Sequence, residues 1–413
     1  MTLRISSARG PFHTLLGWLL AVLPLLLLIQ SVEAQIFTAL YEFNLSSGGQ
    51  PEAGVTRDAA GNLYGTTFFG GGGTGCDIYF DGCGTVFKVD TTGTETVLHI
   101  FGGVTTNPYD GWNPTARLIL DAAGNLYGTT AYGGAYGHGV IFRIDTAGNE
   151  TILHSFAGGR DGARPNAGLV EDTAGNFYGT TQYGGRGCDG QGCGTIFRIS
   201  PAGQETVLYR FAGGANGASP LGGVAVDSAG TIYGTTWLGG IHSYGTVFML
   251  DTSGNQTVLH SFAGGSDGAN PLDSPVLDTA GNLYGTTSAG GPYYGTVFMI
   301  DTAGNESTLY SFTGGTDGAS PYAHLLVDTS GNLYGTASQG GCCGQGTVFE
   351  FSNGTLIALY GFSAAPNGTN LDGQFPMGGL ITDSAGNFYG TAAGAGTSGW
   401  GTVFEIQPSS QSR

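Results

Sequence analysis

Carboxylates and aromatic rings recur in this chain at fixed spacing, and together they are the side chains that a sugar-binding surface needs. A segment reading Gly-Gly-x-Asp-Gly-Ala-x-Pro places Asp161, Asp267 and Asp317 in matching positions, with Asn216 standing in once and Asp110 and Asp372 in divergent copies. Aromatic residues stand just before a Gly-Gly pair: Phe69, Tyr132 and Tyr183, with Trp237 one position earlier. Trp112 and Trp400 belong to the same neighbourhood. Ring faces beside carboxylates and exposed backbone suit sugars, which offer C–H faces and hydroxyls together. The candidate ligand-binding set is therefore Asp110, Asp161, Asp267, Asp317, Tyr132, Tyr183 and Trp237. The competing role is structural: a residue that recurs with a repeat also serves it, the aspartates by capping links and the aromatics by covering strand edges.

Catalysis asks for an odd constellation that breaks a repeat. His99, His154 and His260 share one strand position that Tyr209, Tyr310 and Tyr360 hold elsewhere, which reads as packing. His138, His242 and His324 are scattered, with no Ser-His-Asp order and no metal-spaced pair. Glu95, Glu150, Glu205 and Glu306 each begin the equivalent strand. No catalytic residue, metal ligand or cofactor is expected. A structural calcium is the one cation an acidic face brings to mind, but no single loop has the alternating carboxylates of a calcium loop. Two loop carboxylates ~5–9.5 Å apart would make a glycoside hydrolase or a polysaccharide lyase the enzymatic alternative. A structural or adhesive role in the cell envelope is the third.

Cysteine usage points to an oxidising compartment. Cys76 and Cys83 bracket the longest loop of one type, Cys188 and Cys193 the next longest, and Cys83 and Cys193 both precede a strand-opening glycine. Equivalent, even pairing argues for two disulfide staples rather than one four-cysteine zinc site, because the two loops belong to separate repeats. The neighbours Cys342 and Cys343 form either a vicinal disulfide or two thiols.

The element that must position these residues repeats seven times. Gly-Asn-Leu-Tyr-Gly-Thr-Thr, or a close variant, begins at Gly61, Gly124, Gly175, Gly230, Gly281, Gly331 and Gly386. Each copy reads as four short strands: in the fourth, around residues 223–227, 232–236, 245–250 and 257–262. Four antiparallel strands in some fifty residues match one propeller blade. Asp at the first turn position and Gly two or three residues on give the tight connections. Asp58, Asp121, Asp172, Asp227, Asp278, Asp328 and Asp383 hold the first turn; Asp90, Asp145, Asp251 and Asp301 hold the second. The sequons at Asn149, Asn255 and Asn305 fall in such turns and are explained by them.

Closure is also readable. Residues 37–43 copy a fourth strand before the first repeat, while the last repeat stops at its third strand, residues 401–406. Pairing the two balances the count and predicts an all-β, seven-bladed propeller over 35–406, with a polar tail at 407–413. The tight turns then share one end of the ring. The second-to-third-strand loops and the inter-blade links share the other, here called the loop face, where binding is expected.

Residues 1–34 differ in kind: Arg4 and Arg9, an apolar run from Leu15 to Ile29, then Val32-Glu33-Ala34. That is the pattern of a secretory signal peptide, shorter than the ~20 apolar residues of a spanning helix. Its removal leaves 10 basic and 29 acidic side chains, a net charge of −19, with Lys88 the chain's single lysine. Such a surface repels phosphate backbones and anionic lipid, so nucleic acid and membrane surfaces are poor partners. The expected product is a secreted monomer.

The Asp-x-x-Gly-Asn-Leu-Tyr-Gly-Thr-Thr block, the Gly-Gly loop, Gly-Thr-Val-Phe and Thr-Val-Leu-His-Ser-Phe resemble the GloVer-type repeat of bacterial "choice-of-anchor" tandem-repeat proteins, over about residues 36–406. The resemblance implies an exported bacterial repeat protein. Members often carry a surface anchor after the repeats; here the chain ends in Gln407-Pro408-Ser409-Ser410 and three further polar residues, which favours free secretion. An extracellular carbohydrate or protein is the expected partner.

Overall fold

The structure, a computed structural model, describes residues 35–73, 76, 82–102, 110–292 and 294–408. The signal peptide read at 1–34 and the tail residues 409–413 lie outside the described residues. Among those described, no helix is long and apolar enough to cross a membrane.

Each repeat folds into one antiparallel blade. In blade 4 the strands Val224–Val226, Ile232–Thr236, Thr246–Leu250 and Gln256–Ser261 lie in that order from the ring axis outward. Blade 7 takes three strands from the C-terminal end, Ile381–Thr382, Phe388–Ala392 and Thr402–Gln407. Its outer strand is Ile36–Glu42, paired antiparallel to Thr402–Gln407. The seven-bladed all-β propeller and its closure by the N-terminal strand are thus as the strand count predicts.

The recurring phrase has a structural duty at almost every position. Asp58 accepts hydrogen bonds from the Asn62 backbone N–H at 2.8 Å, the Asn62 side chain at 2.7 Å and the Tyr64 hydroxyl at 3.0 Å. Burial alone would push the Asp58 carboxyl up, but these bonds outweigh it and hold the group below the ordinary range. Gly65 is required by contact: a Cβ there would stand 2.6 Å from Cζ of Phe87. The first threonine stitches blades together, as Thr180 donates to the Gly222 carbonyl and Thr235 to the Asp273 carbonyl, both at 2.8 Å. The second stays within its blade, with 2.7 Å between the hydroxyls of Thr181 and Thr195.

Between blades the core is built from phenylalanine. Phe211, at the end of blade 3, meets Phe248 of blade 4 edge-on with centroids 5.2 Å apart. The ring-closing copy, Phe43 against Phe87, stands at 4.9 Å. All four rings are fully buried. Such pairs contribute roughly 0.5–1.5 kcal/mol each beyond their burial. The third-to-fourth-strand register shifts at the same place in blade after blade, leaving Leu98 and Leu259 as extra residues. A bulge of this kind re-aims the side chain that follows it, here His99 and His260.

Candidate functional site

The loop face is held by a strained frame. Gln50, Asn113, Arg164, Ser219, Asn270, Ser320 and Phe375 each precede a proline of the inter-blade link, and each has φ between 51° and 58°. Their N–H groups donate to carbonyls just before the third strand, as Arg164 does to His138 at 2.9 Å and Asn270 to Tyr244 at 2.8 Å. Strain repeated in every blade belongs to the frame. What differs between blades is the side chain it presents.

On that frame the aromatic residues form an arc. Trp112 and Tyr132 pair across a two-residue ladder and stack at 4.5 Å, with 17° between their planes. The Arg164 guanidinium covers the other face of this stack, 4.6 Å from the Tyr132 centroid and 5.1 Å from that of Tyr183. Trp237 follows in blade 4, half-buried, with no ring contact among the described residues. Phe68 and the buried Phe69 begin the arc in blade 1, edge to face at 4.6 Å. Blades 5, 6 and 7 carry Ser288-Ala289, Ser338-Gln339 and Ala393-Gly394 at the same strand exits.

The expected carboxylates are placed on the loop face but are engaged internally. Asp161 accepts the Ala157 N–H at 2.6 Å and faces His154 at 3.3 Å. Asp267 accepts the Ala263 N–H at 2.5 Å and meets His260 at 2.9 Å. Asp317 takes bonds from the Thr313 N–H at 2.7 Å and the Tyr310 hydroxyl at 3.0 Å. Asp110 accepts the Gly102 N–H at 3.0 Å and lies 3.6 Å from His99. Each therefore ties its inter-blade link to the fourth strand beside it. The histidines pack on phenylalanine as expected, His99 on Phe101 at 4.7 Å, but each also lies close to a glutamate of the following blade. Sequence reading missed that meeting of His99 with Glu150, His154 with Glu205 and His260 with Glu306. Burial, reinforced by Asp161, pushes Glu205 up to about 7.

Cys76–Cys83 and Cys188–Cys193 are disulfide-bonded, as the pairing predicts. Cys342 and Cys343 stand as exposed thiols with their Sγ atoms 2.8 Å apart. An open groove of 660 Å³ lies between the outer strands of blades 6 and 7, walled by Phe37, Tyr360, Leu371 and Asp372. Its two rings stack on each other at 4.3 Å.

The ring axis holds a constellation that does break the repeat. The second residue of the inner segment is Gly54, Arg117, Gly168, Gly223, Ser274, His324 and Gly379 in blade order. Arg117 reaches across to His324, with 3.2 Å between Nη1 and Nε2. Because the guanidinium can only donate, Nε2 accepts and the ring proton sits on Nδ1, 3.6 Å from Asp273 Oδ2. Asp273 also accepts the backbone N–H groups of His324 at 2.8 Å and Ser274 at 2.6 Å. Burial would raise the Asp273 carboxyl, but the His324 bonds outweigh it and hold it low. A side chain at Gly379 would collide with the His324 ring. The signal for this trio was present in the sequence: two large polar residues in a ring position otherwise given to glycine and serine.

A profile of the Gloeobacter/Verrucomicrobia repeat matches residues 73–293 and 264–413. The chain belongs to this repeat family. No curated protein matches it. Solved structures share the architecture of this Gloeobacter/Verrucomicrobia repeat protein at low identity. The extracellular domain of a hybrid two component system from B. thetaiotaomicron superposes with a TM-score of 0.58 at 12% identity, over 89% of this chain and 39% of that one. A puromycin-hydrolyzing peptidase of Mycobacterium tuberculosis gives 0.51 at 12%, over 92% of this chain and 56% of that one. Puromycin hydrolase complexed with PGG gives 0.53 at 12%, over 86% and 52%. The repeat protein thus spans well under two thirds of the length of each, and the likeness is one of fold alone.

Proposed function

We propose that this repeat protein is an exported binding propeller that takes an extracellular carbohydrate on the aromatic arc of its loop face. The observation that carries the reading is the asymmetry of the arc. Aromatics that served the blade would recur in all seven; here Phe69, Tyr132 and Tyr183 hold one strand-exit position in blades 1 to 3, Leu238 holds it in blade 4 with Trp237 just before it, and Ala289, Gln339 and Gly394 hold it in blades 5 to 7. Tyr132 is already fixed between Trp112 and Arg164, and Trp237, with no ring contact among the described residues, is the ring left to stack on a sugar face at little cost in ordering entropy. The signal-peptide pattern and the two disulfides support export. A net charge of −19 after its removal favours a neutral glycan over a polyanion. The engagement of Asp161, Asp267 and Asp317 in internal bonds weighs against a hydrolase or lyase that would use them.

Native gels cast with a panel of neutral and acidic polysaccharides test the reading. Retardation by a neutral polymer, lost in Trp237→Ala at unchanged melting temperature, is the expected result. Uniform migration across the panel would point to a protein partner or a structural role instead.

A further inference from the structure

We propose that His99, Asp110 and Glu150 form a binding site for one divalent transition-metal ion of the zinc class, at the junction of blades 1 and 2. The three side chains offer one imidazole nitrogen and two carboxylates, all within 4.8 Å of one another. That donor set suits zinc and its neighbours, which accept nitrogen and carboxylate ligands together.

The geometry separates this junction from its two relatives. His99 Nε2 stands 3.6 Å from Asp110 Oδ2 and 3.8 Å from Glu150 Oε1. Those gaps are too long for hydrogen bonds. Ligand atoms on a tetrahedral ion with bonds of about 2.1 Å stand about 3.4 Å apart, close to what is found. At the other two junctions the imidazole has closed onto its aspartate, at 3.3 Å for His154 and 2.9 Å for His260. There the aspartates keep 24% and 22% of their side-chain exposure, against 8% for Asp110.

Burial gives a second, independent argument. His99 Nε2 and Asp110 Oδ1 are buried, and neither has a hydrogen-bond partner among the described residues. Buried polar atoms left without a partner are costly, and a metal ion would satisfy both. The Gly102 N–H bond to Asp110 Oδ2 at 3.0 Å orients the carboxylate from behind, as an outer-shell donor does.

A comparison among the seven junctions gives a third. Histidine occurs only where the link supplies Asp and the next blade's outer strand begins with Glu. The four tyrosine junctions never combine two carboxylates: Tyr41 meets Ser47 and Glu95, and Tyr209 has Asn216 and Gln256. Tyr310 has Asp317 beside Leu356, and Tyr360 has Asp372 beside Phe37. Charge and imidazole therefore travel together, as one dication held by two carboxylates and an imidazole requires.

The test is titration of the chelator-stripped full protein with Co²⁺, followed by displacement with Zn²⁺. The expected result is one equivalent with the visible absorption of tetrahedral Co²⁺, bleached by Zn²⁺. His99→Tyr should abolish it while keeping the metal-free melting temperature, because tyrosine is the residue four other junctions use. His260→Tyr should leave it intact. No stoichiometric uptake, uptake unchanged by His99→Tyr, or uptake lost on His260→Tyr would each overturn the assignment.

Discussion

Arg117 and His324, 207 residues apart in the chain, meet across the ring axis with 3.2 Å between Nη1 and Nε2. They come from blades 2 and 6, and only the innermost positions can make such a contact. Asp273 of blade 5 completes the trio, accepting the His324 backbone N–H at 2.8 Å with its Oδ2 3.6 Å from the ring Nδ1. The arrangement pins three blades through the axis, where the other ring positions are glycine in four blades and Ser274 in the fifth. Replacing Arg117 by Leu leaves His324 Nε2 without its donor and Asp273 without the nearby positive charge. A loss of about 1–3 kcal/mol in a urea melt is expected. An unchanged midpoint would mean that the axis is well solvated and the trio is not structural.

The close approach of strand to ring makes a sharper stability prediction. Gly234 lies so near Phe248 that an added Cβ would stand 2.5 Å from Cζ. Gly234→Ala should therefore cost about 1–3 kcal/mol through overpacking, and Phe248→Ala about 3–5 kcal/mol through the cavity it leaves. Calorimetry of both variants checks the order; an alanine tolerated at 234 would contradict the packing described.

Stability should pass through a maximum on the acidic side of neutrality. Asp58, Asp121, Asp172, Asp278, Asp328 and Asp383 all have carboxyls held below the ordinary range, where burial is outweighed by turn hydrogen bonds. Their contribution is fully present above the unfolded value of about 3.9 and is lost as the pH falls through their lower folded values. Glu52 works in the opposite sense, since burial pushes its carboxyl up to about 7. The fold favours its protonated form, so that contribution is lost as the pH rises from about 4.3 toward about 7. Melting curves between pH 3 and 8 should show both limbs. Glu205, also pushed up to about 7, acts in the same window, so Glu52→Gln should make the alkaline limb shallower without abolishing it and leave the acid limb alone; the reverse would contradict the assignment.

The disulfides should matter modestly. Their sequence separations are 7 and 5, so each closes a small loop. Chain-entropy arguments then give about 2 kcal/mol per bridge. Reduction should lower the melting temperature and leave the far-ultraviolet spectrum folded. Collapse of the fold on reduction would mean that the bridges hold more than their own loops.

The architecture was legible because its determinants are local. The turns of Asp58 and its counterparts, the strand copied at residues 37–43 and the missing last strand all sit within one repeat or at its ends. The partners of the loop-face aspartates were not legible: the Ala157 N–H lies just past, and His154 within, a bulged strand whose direction the alternation does not give. Junction residues were harder still. Glu150 follows His99 by a whole blade, so the pair looks like two independent repeat positions until the copies are compared. Arg117 and His324 were hidden for the same reason at longer range, although their size in a glycine-lined ring position marks them.

The central claim is that the aromatic arc of blades 1 to 4 is a sugar-binding surface. Isothermal titration of the best-retained oligosaccharide tests it most directly, with wild type, Trp237→Ala and Tyr294→Ala compared. Tyr294 is an exposed aromatic of blade 5, outside the arc. Trp237→Ala should weaken binding by about 1–3 kcal/mol, the scale of removing one anchoring aromatic, with Tyr294→Ala unchanged. Equal affinities for all three proteins, or loss only with Tyr294→Ala, would contradict it.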